Sequence, residues 1–191
     1  MMQKLTKIGF ALVLAAVGTT GLKAADDDTE FSAKVGLVNP QGDLRSMTDR
    51  ALGYGGELGW DFKPTKDAGV GFGLNAGYLI TRGKNEARET FDAKGTYAGI
   101  DLIYAIGETP LTIRTGLQMI SWDVTSLQPT VGTGAQGETA WKLGFRFGAE
   151  YRFSKTWSAT AMYDFSHWRT DTDANTGSNP SFVSLMVGYK F

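Results

Sequence analysis

Trp141-Lys142-Leu143-Gly144-Phe145-Arg146-Phe147-Gly148-Ala149-Glu150-Tyr151-Arg152-Phe153 alternates without a break. Trp141, Leu143, Phe145, Phe147, Ala149, Tyr151 and Phe153 share one parity; Lys142, Gly144, Arg146, Gly148, Glu150 and Arg152 share the other. A period of two puts the two sets on opposite faces of a β-strand, whereas helical neighbours lie three and four apart. A soluble sandwich also alternates, but it seldom sets five large aromatics of one strand opposite glycines and charges. One face suits hydrocarbon and the other an enclosed polar space, which is the pattern of a membrane-crossing strand.

The same alternation recurs along the chain. Val183, Leu185, Val187, Tyr189 and Phe191 oppose Ser184, Gly188 and Lys190. Eight segments read this way, over residues 30–38, 52–63, 68–81, 95–106, 111–122, 140–153, 157–167 and 182–191. Their connections alternate in length. Residues 64–67, 107–110 and 154–156 are tight turns, and the longer, more polar stretches 39–51, 82–94, 123–139 and 168–181 read as loops. The pattern predicts an all-β fold, an eight-stranded antiparallel up-and-down transmembrane β-barrel with short turns at one end and long loops at the other. Aromatics sort by height, with Phe31, Trp60, Tyr151, Trp157 and Tyr189 near the short turns and Tyr54, Tyr78, Trp122, Trp141 and Phe165 near the loops. Two aromatic girdles flanking an aliphatic band are expected where rings meet the headgroup layer.

The ending Gly188-Tyr189-Lys190-Phe191 resembles the C-terminal signature of bacterial outer-membrane barrels, with Gly188, Tyr189 and Phe191 as the signal that the barrel assembly machinery reads. The aromatic alternation through 141–153, its tight turn and the final Val-Gly-Tyr-Lys-Phe resemble the OmpX/Ail group of small barrels. Lys34-Val35-Gly36-Leu37-Val38-Asn39-Pro40 is similar to the OmpW and opacity-protein groups. The resemblance implies a monomer in the bacterial outer membrane with both termini in the periplasm.

The N-terminus agrees with export. Lys4 and Lys7 precede a short apolar run over 8–18, too short for a spanning helix, so residues 1–25 read as a cleaved signal peptide and 26–191 as the barrel domain. The formal net charge is −1, which gives no basic field for nucleic acid. The absence of cysteine excludes disulfide staples and thiolate metal sites.

If the apolar faces meet lipid, Lys34, Glu57, Asp101, Arg114, Lys142, Arg146, Glu150 and Asp164 line the interior. Four are basic and four acidic, and an eight-stranded interior is just wide enough for side chains to fill it, so they should pair. Placing Phe153 opposite Trp157 sets Arg146 across from Asp164, and pairing Gly107 with Pro110 sets Asp101 across from Gly116 and diagonal to Arg114.

Other motifs fall away. Gly71-Phe72-Gly73-Leu74-Asn75-Ala76 matches a dinucleotide fingerprint but lies inside a strand pattern, away from any strand-to-helix turn. In residues 171–177 the glycine of a calcium loop comes one place late, and Phe182 stands where a bidentate glutamate belongs. His167, the single histidine, is followed by Trp168-Arg169 and lacks the serine of a His-x-Ser element such as lipid A deacylase barrels carry. Neither metal nor cofactor is expected. Arg45, Arg50, Arg82, Lys84, Arg88 and Arg169 lie in or beside the outer loops, where guanidinium and ammonium groups suit lipopolysaccharide phosphates. The expectation is a non-enzymatic barrel with a structural or adhesin-like role. A narrow channel for small or apolar solutes is the alternative, and a lipid A-modifying enzyme is more remote.

Overall fold

The structure, a computed structural model, describes residues 29–42, 45, 51–62, 69–84, 90–126, 137–138, 141–166, 168–169, 177–178 and 180–191. Eight strands form the wall: β1 (Thr29–Gln41), β2 (Gly53–Phe62), β3 (Val70–Lys84), β4 (Thr90–Ala105), β5 (Leu111–Ser126), β6 (Lys142–Arg152), β7 (Trp157–Ser166) and β8 (Pro180–Lys190). Each pairs antiparallel with its sequence neighbour, and β1 pairs with β8 from Ser32↔Lys190 to Gln41↔Ser181, which closes the barrel.

The register fixes its girth. One row of cross-strand partners runs from Arg152 through Ser158, Gly188, Lys34, Glu57, Gly77, Tyr97 and Ile120 to Lys142. It returns to β6 ten residues from where it began, so the shear is 10 for eight strands. Shear and strand number together set a strand tilt of about 40° and an interior that side chains can fill.

The outward parity is greasy: Leu37, Ile100, Leu117, Phe145, Phe147 and Leu185 are each 49–59% exposed. At the short-turn end Phe31 stacks on Trp60 at 4.9 Å and Phe62 on Phe72 at 4.7 Å, while Trp157, Tyr189 and Phe191 follow edge to face at 5.1 Å. These contacts build one girdle from residues of β1, β2, β3, β7 and the chain end. Two described turns explain themselves. Gly107 adopts φ 54°, the left-handed region that costs glycine little, and Ser154 Oγ accepts from the Trp157 amide at 2.9 Å.

Pro40 is accommodated for a reason the register supplies. Phe191 N donates to Phe31 O at 3.0 Å, so the odd residues of β1 bond to β8 and the even ones face β2. Pairing with β2 stops at Val38↔Gly53, hence the missing N–H of Pro40 removes no ladder bond.

Three expectations need correction. Residues 39–51, 82–94 and 123–139 are not loop throughout: β1 continues to Gln41, β3 continues to Lys84, β4 starts at Thr90 and β5 runs to Ser126, with Gly137–Glu138 adding a short ladder to β5. In the 168–181 stretch, Trp168–Arg169 pairs with Gly177–Ser178. Hydrophobic alternation does not mark the extensions of β3 and β4, because their outward positions are polar (Arg82, Asp92, Lys94) while Ala93 points inward, the reverse of the membrane pattern. Trp122 is not part of the outer girdle. It shares parity with Arg114 and Gln118, is 2% exposed, and packs inside against Phe182 at 6.0 Å. The expected signal peptide, the turn at 64–67, Arg50, Arg88, His167 and residues 171–176 lie outside the described residues.

Candidate functional site

The lumen is layered. At the loop end Val38, Leu79, Ala93, Tyr97, Ile120, Trp122 and Phe182 form one buried apolar cluster across β1, β3, β4, β5 and β8. Below it the interior is ionic. Strand alternation brings in the charges, and inward glycines make room for them: a Cβ on Gly77 would overlap the Tyr97 ring, and one on Gly73 would meet Asp61 and Arg114.

Two guanidinium hubs organise this layer. Arg114 donates to both carboxylate oxygens of Asp61 at 2.7 and 2.9 Å, and to Asp101 and Glu150 at 3.2 Å each. Arg146 donates to Glu57 at 2.8 Å, stands 3.6 Å from both Asp101 and Asp164, and lies 5.6 Å from the Tyr97 ring centroid. Lys34 joins Glu57 at 3.0 Å and Glu150 at 3.6 Å. Tyr97 donates its hydroxyl to Glu57 at 3.0 Å. At the short-turn mouth Lys190 contacts Glu30 and Glu150, both at 2.5 Å, and Arg152 contacts Glu30 at 2.9 Å. Bidentate, charge-assisted pairing of this kind compensates the large cost of taking charges out of water.

Seven of the eight interior positions read from the sequence are buried here: Lys34, Glu57, Asp101, Arg114, Arg146, Glu150 and Asp164. Arg146 faces Asp164 across the ladder, and Asp101 faces Gly116. Lys142 shares their parity but lies at the loop end, half-buried, with no ion pair within 4.0 Å among the described residues. Five members are absent from that set: the buried Asp61, Tyr97 and Lys190, and Glu30 and Arg152 at the mouth. Parity could have found them, since Asp61 follows Glu57 and Gly59, and Tyr97 lies between Gly95 and Gly99.

Above the lipid band, β3, β4 and β5 continue as a blade, paired to Lys84↔Thr90 and Phe91↔Ser126, whereas β2–β3 pairing stops at Tyr54↔Ile80. Its outer face carries charge in opposed pairs, Arg82↔Asp92 and Lys94↔Asp123. Arg82 Nε and Nη2 donate to the two Asp92 oxygens at 2.5 and 2.8 Å. That hydrogen bond, with the guanidinium charge, holds the Asp92 carboxyl below its ordinary range against the opposing effect of partial burial. Of the remaining candidate lipopolysaccharide contacts, Arg45 is exposed, while Lys84 and Arg169 fall on strand residues.

A depressed folded-state value means the pair contributes fully above the ordinary carboxylate range and is lost as pH falls through the lowered one. With Arg82 mostly in solvent, the contribution is about 0.5 kcal/mol. Asp92→Asn is therefore expected to lower the amide-exchange protection factors of residues 90–94 at neutral pH by about twofold, and to remove the loss of protection that the parent shows between neutral and strongly acid pH. Exchange rates unchanged by the substitution would contradict this.

An apolar outer surface, a buried charged interior, girdling aromatics and a closed eight-strand ladder define a transmembrane β-barrel of the small outer-membrane class. The chain belongs to the outer membrane protein beta-barrel domain family, whose model matches residues 10–191, and its place is the bacterial outer membrane. Among similar solved structures is Ail, the attachment invasion locus protein of Yersinia pestis, in complex with the heparin analogue sucrose octasulfate. It is 12% identical with a TM-score of 0.58, over 86% of this chain and 98% of that one. A major outer membrane protein from Thermus thermophilus is 12% identical with a TM-score of 0.54, over 85% of this chain and 99% of that one. Neisserial surface protein A is 13% identical with a TM-score of 0.52, over 85% and 95%. At these identities the likeness is one of fold. No curated protein matches the chain.

Proposed function

We propose that the protein is a monomeric, non-conducting and non-catalytic scaffold of the outer membrane, exported with loss of residues 1–25 and inserted with its short turns and termini in the periplasm. Its work is structural or adhesive and is done by what the barrel holds outside, with the β3–β5 blade and outer loops as the contacting parts. The observation that carries this reading is the lumen. Ion pairs occupy its lower part, and towards the loop end Trp122 and Phe182 belong to one buried apolar cluster, which supports a lumen without a solute path. A rigid wall with polar extensions is how folds commonly present binding surfaces. Lipopolysaccharide is the proposed lipid partner, through Arg45 and the outer-loop cations, because Arg82 is already engaged by Asp92.

Planar bilayers test the scaffold reading against a channel. Wild type and Arg146→Ala are both expected to show no unitary steps, since the substitution leaves the Trp122–Phe182 layer intact. Steps in wild type would overturn the scaffold, and steps confined to Arg146→Ala would mark the ion network as a gate. Lipid A of unchanged mass after expression is the expected result for a barrel without catalysis, and a shortened acyl pattern would refute it.

A further inference from the structure

The β1–β8 seam joins the two ends of the strand sequence. Every other strand pair is linked by one connection, so the seam has the largest loop-closure cost and the slowest contacts to form. Its charges are confined to one end. Three ion pairs cross it at the short-turn mouth: Lys190–Glu30 at 2.5 Å, Arg152–Glu30 at 2.9 Å and Glu150–Lys34 at 3.6 Å. Towards the loops the inward partners across the seam are Gly36↔Met186, Val38↔Ser184 and Pro40↔Phe182, without charge.

Lys190 is held from its own side of the seam as well as across it. Its side chain is 3% exposed and its ammonium also contacts Glu150 at 2.5 Å, and Glu150 lies on β6, on the same side of the seam and two hairpins away. The β6–β7–β8 sheet therefore aims Lys190 with local contacts alone. When β1 arrives, Glu30 meets an ammonium already in place, as Ser32 comes opposite Lys190 and the Phe191 amide reaches Phe31 O at 3.0 Å. The outward Tyr189 and Phe191 flank this inward group and join the girdle.

We propose that Lys190 is the latch of the closing seam: pre-aimed by Glu150, it captures Glu30 of β1 in the step that turns an open sheet into a cylinder. The latch acts before closure is complete, so removing it slows closing, whereas a bond made only afterwards would speed opening alone.

The chain has no cysteine, which makes a seam reporter clean. Asn39 and Val183 are opposed outward residues, and a hydrogen-bonded antiparallel pair separates Cα atoms by about 5.5 Å, within disulfide range. In the full chain carrying Asn39→Cys and Val183→Cys, folded from urea into phospholipid vesicles with excess oxidised glutathione as the oxidant, disulfide formation reports closure. Lys190→Met is expected to slow it about fivefold or more, Glu30→Gln to slow it comparably, and Lys190→Arg to restore it to within about twofold. Strands that form in the vesicle but never cross-link in Lys190→Met would also support the latch. Closure at the parental rate in Lys190→Met, or equal slowing in Lys190→Arg, would overturn it. Failure of Lys190→Met to form strands at all, with Glu30→Gln closing normally, would likewise overturn it, because the lysine would then serve the whole fold and not the seam.

Discussion

Arg114→Met is expected to destabilise the barrel by about 3–5 kcal/mol, because it strips a buried hub from three carboxylates at once. Asp61 loses both of its bonds and is left charged in the interior, 4% exposed. Asp101 and Glu150 fare better, since Arg146 stands 3.6 Å from the first and Lys34 and Lys190 contact the second. The burden should therefore fall on Asp61, and Arg114→Met with Asp61→Leu should recover more than half of the loss. Urea titration in lipid vesicles, followed by tryptophan fluorescence, gives both values. A loss below about 1 kcal/mol for the single variant would mean that water screens the interior pairs as it does surface ones.

Leu185→Arg addresses the opposite face. Leu185 lies midway along β8, points outward and is 58% exposed among outward Ala161 and Leu37. At bilayer mid-depth an arginine on this face costs about 2–4 kcal/mol, while the same change near the interface costs about 0–1 kcal/mol. Tyr54→Arg, by the loop-end girdle, is the matched comparison. Equal penalties at both sites in vesicles would refute the assignment of the outward parity to lipid.

The wall was legible from residues because a period of two is both a local rule and a global one. Once Phe145 faces lipid, Arg146 must face the lumen, and hairpin register then sets Arg146 opposite Asp164. Pairings across the barrel were not legible in this way. Arg114 and Asp61 are 53 residues apart, and Arg146 and Glu57 are 89 apart. They meet only because the wall closes with a stagger of ten, a quantity no single strand encodes. Trp122 shows the limit of reasoning from residue type: its position near a loop suggested a girdle, while its parity, shared with Gln118 and Ile120, put it inside. The blade went unread because hydrophobic alternation marks lipid contact, and above the lipid the outward positions had no reason to be apolar.

The alternation of greasy and polar neighbours along each strand has a consequence for the journey before folding. Interleaving dilutes the hydrocarbon, so the mean hydropathy of the sequence is only −0.18. As an extended polymer crossing an aqueous compartment, the barrel sequence offers a bilayer no contiguous greasy segment of the roughly 20 residues that would halt it there. Affinity for lipid emerges when the polymer curls up and sorts its side chains to two sides of a wall. The destination is thus encoded in the cylinder and withheld from the thread.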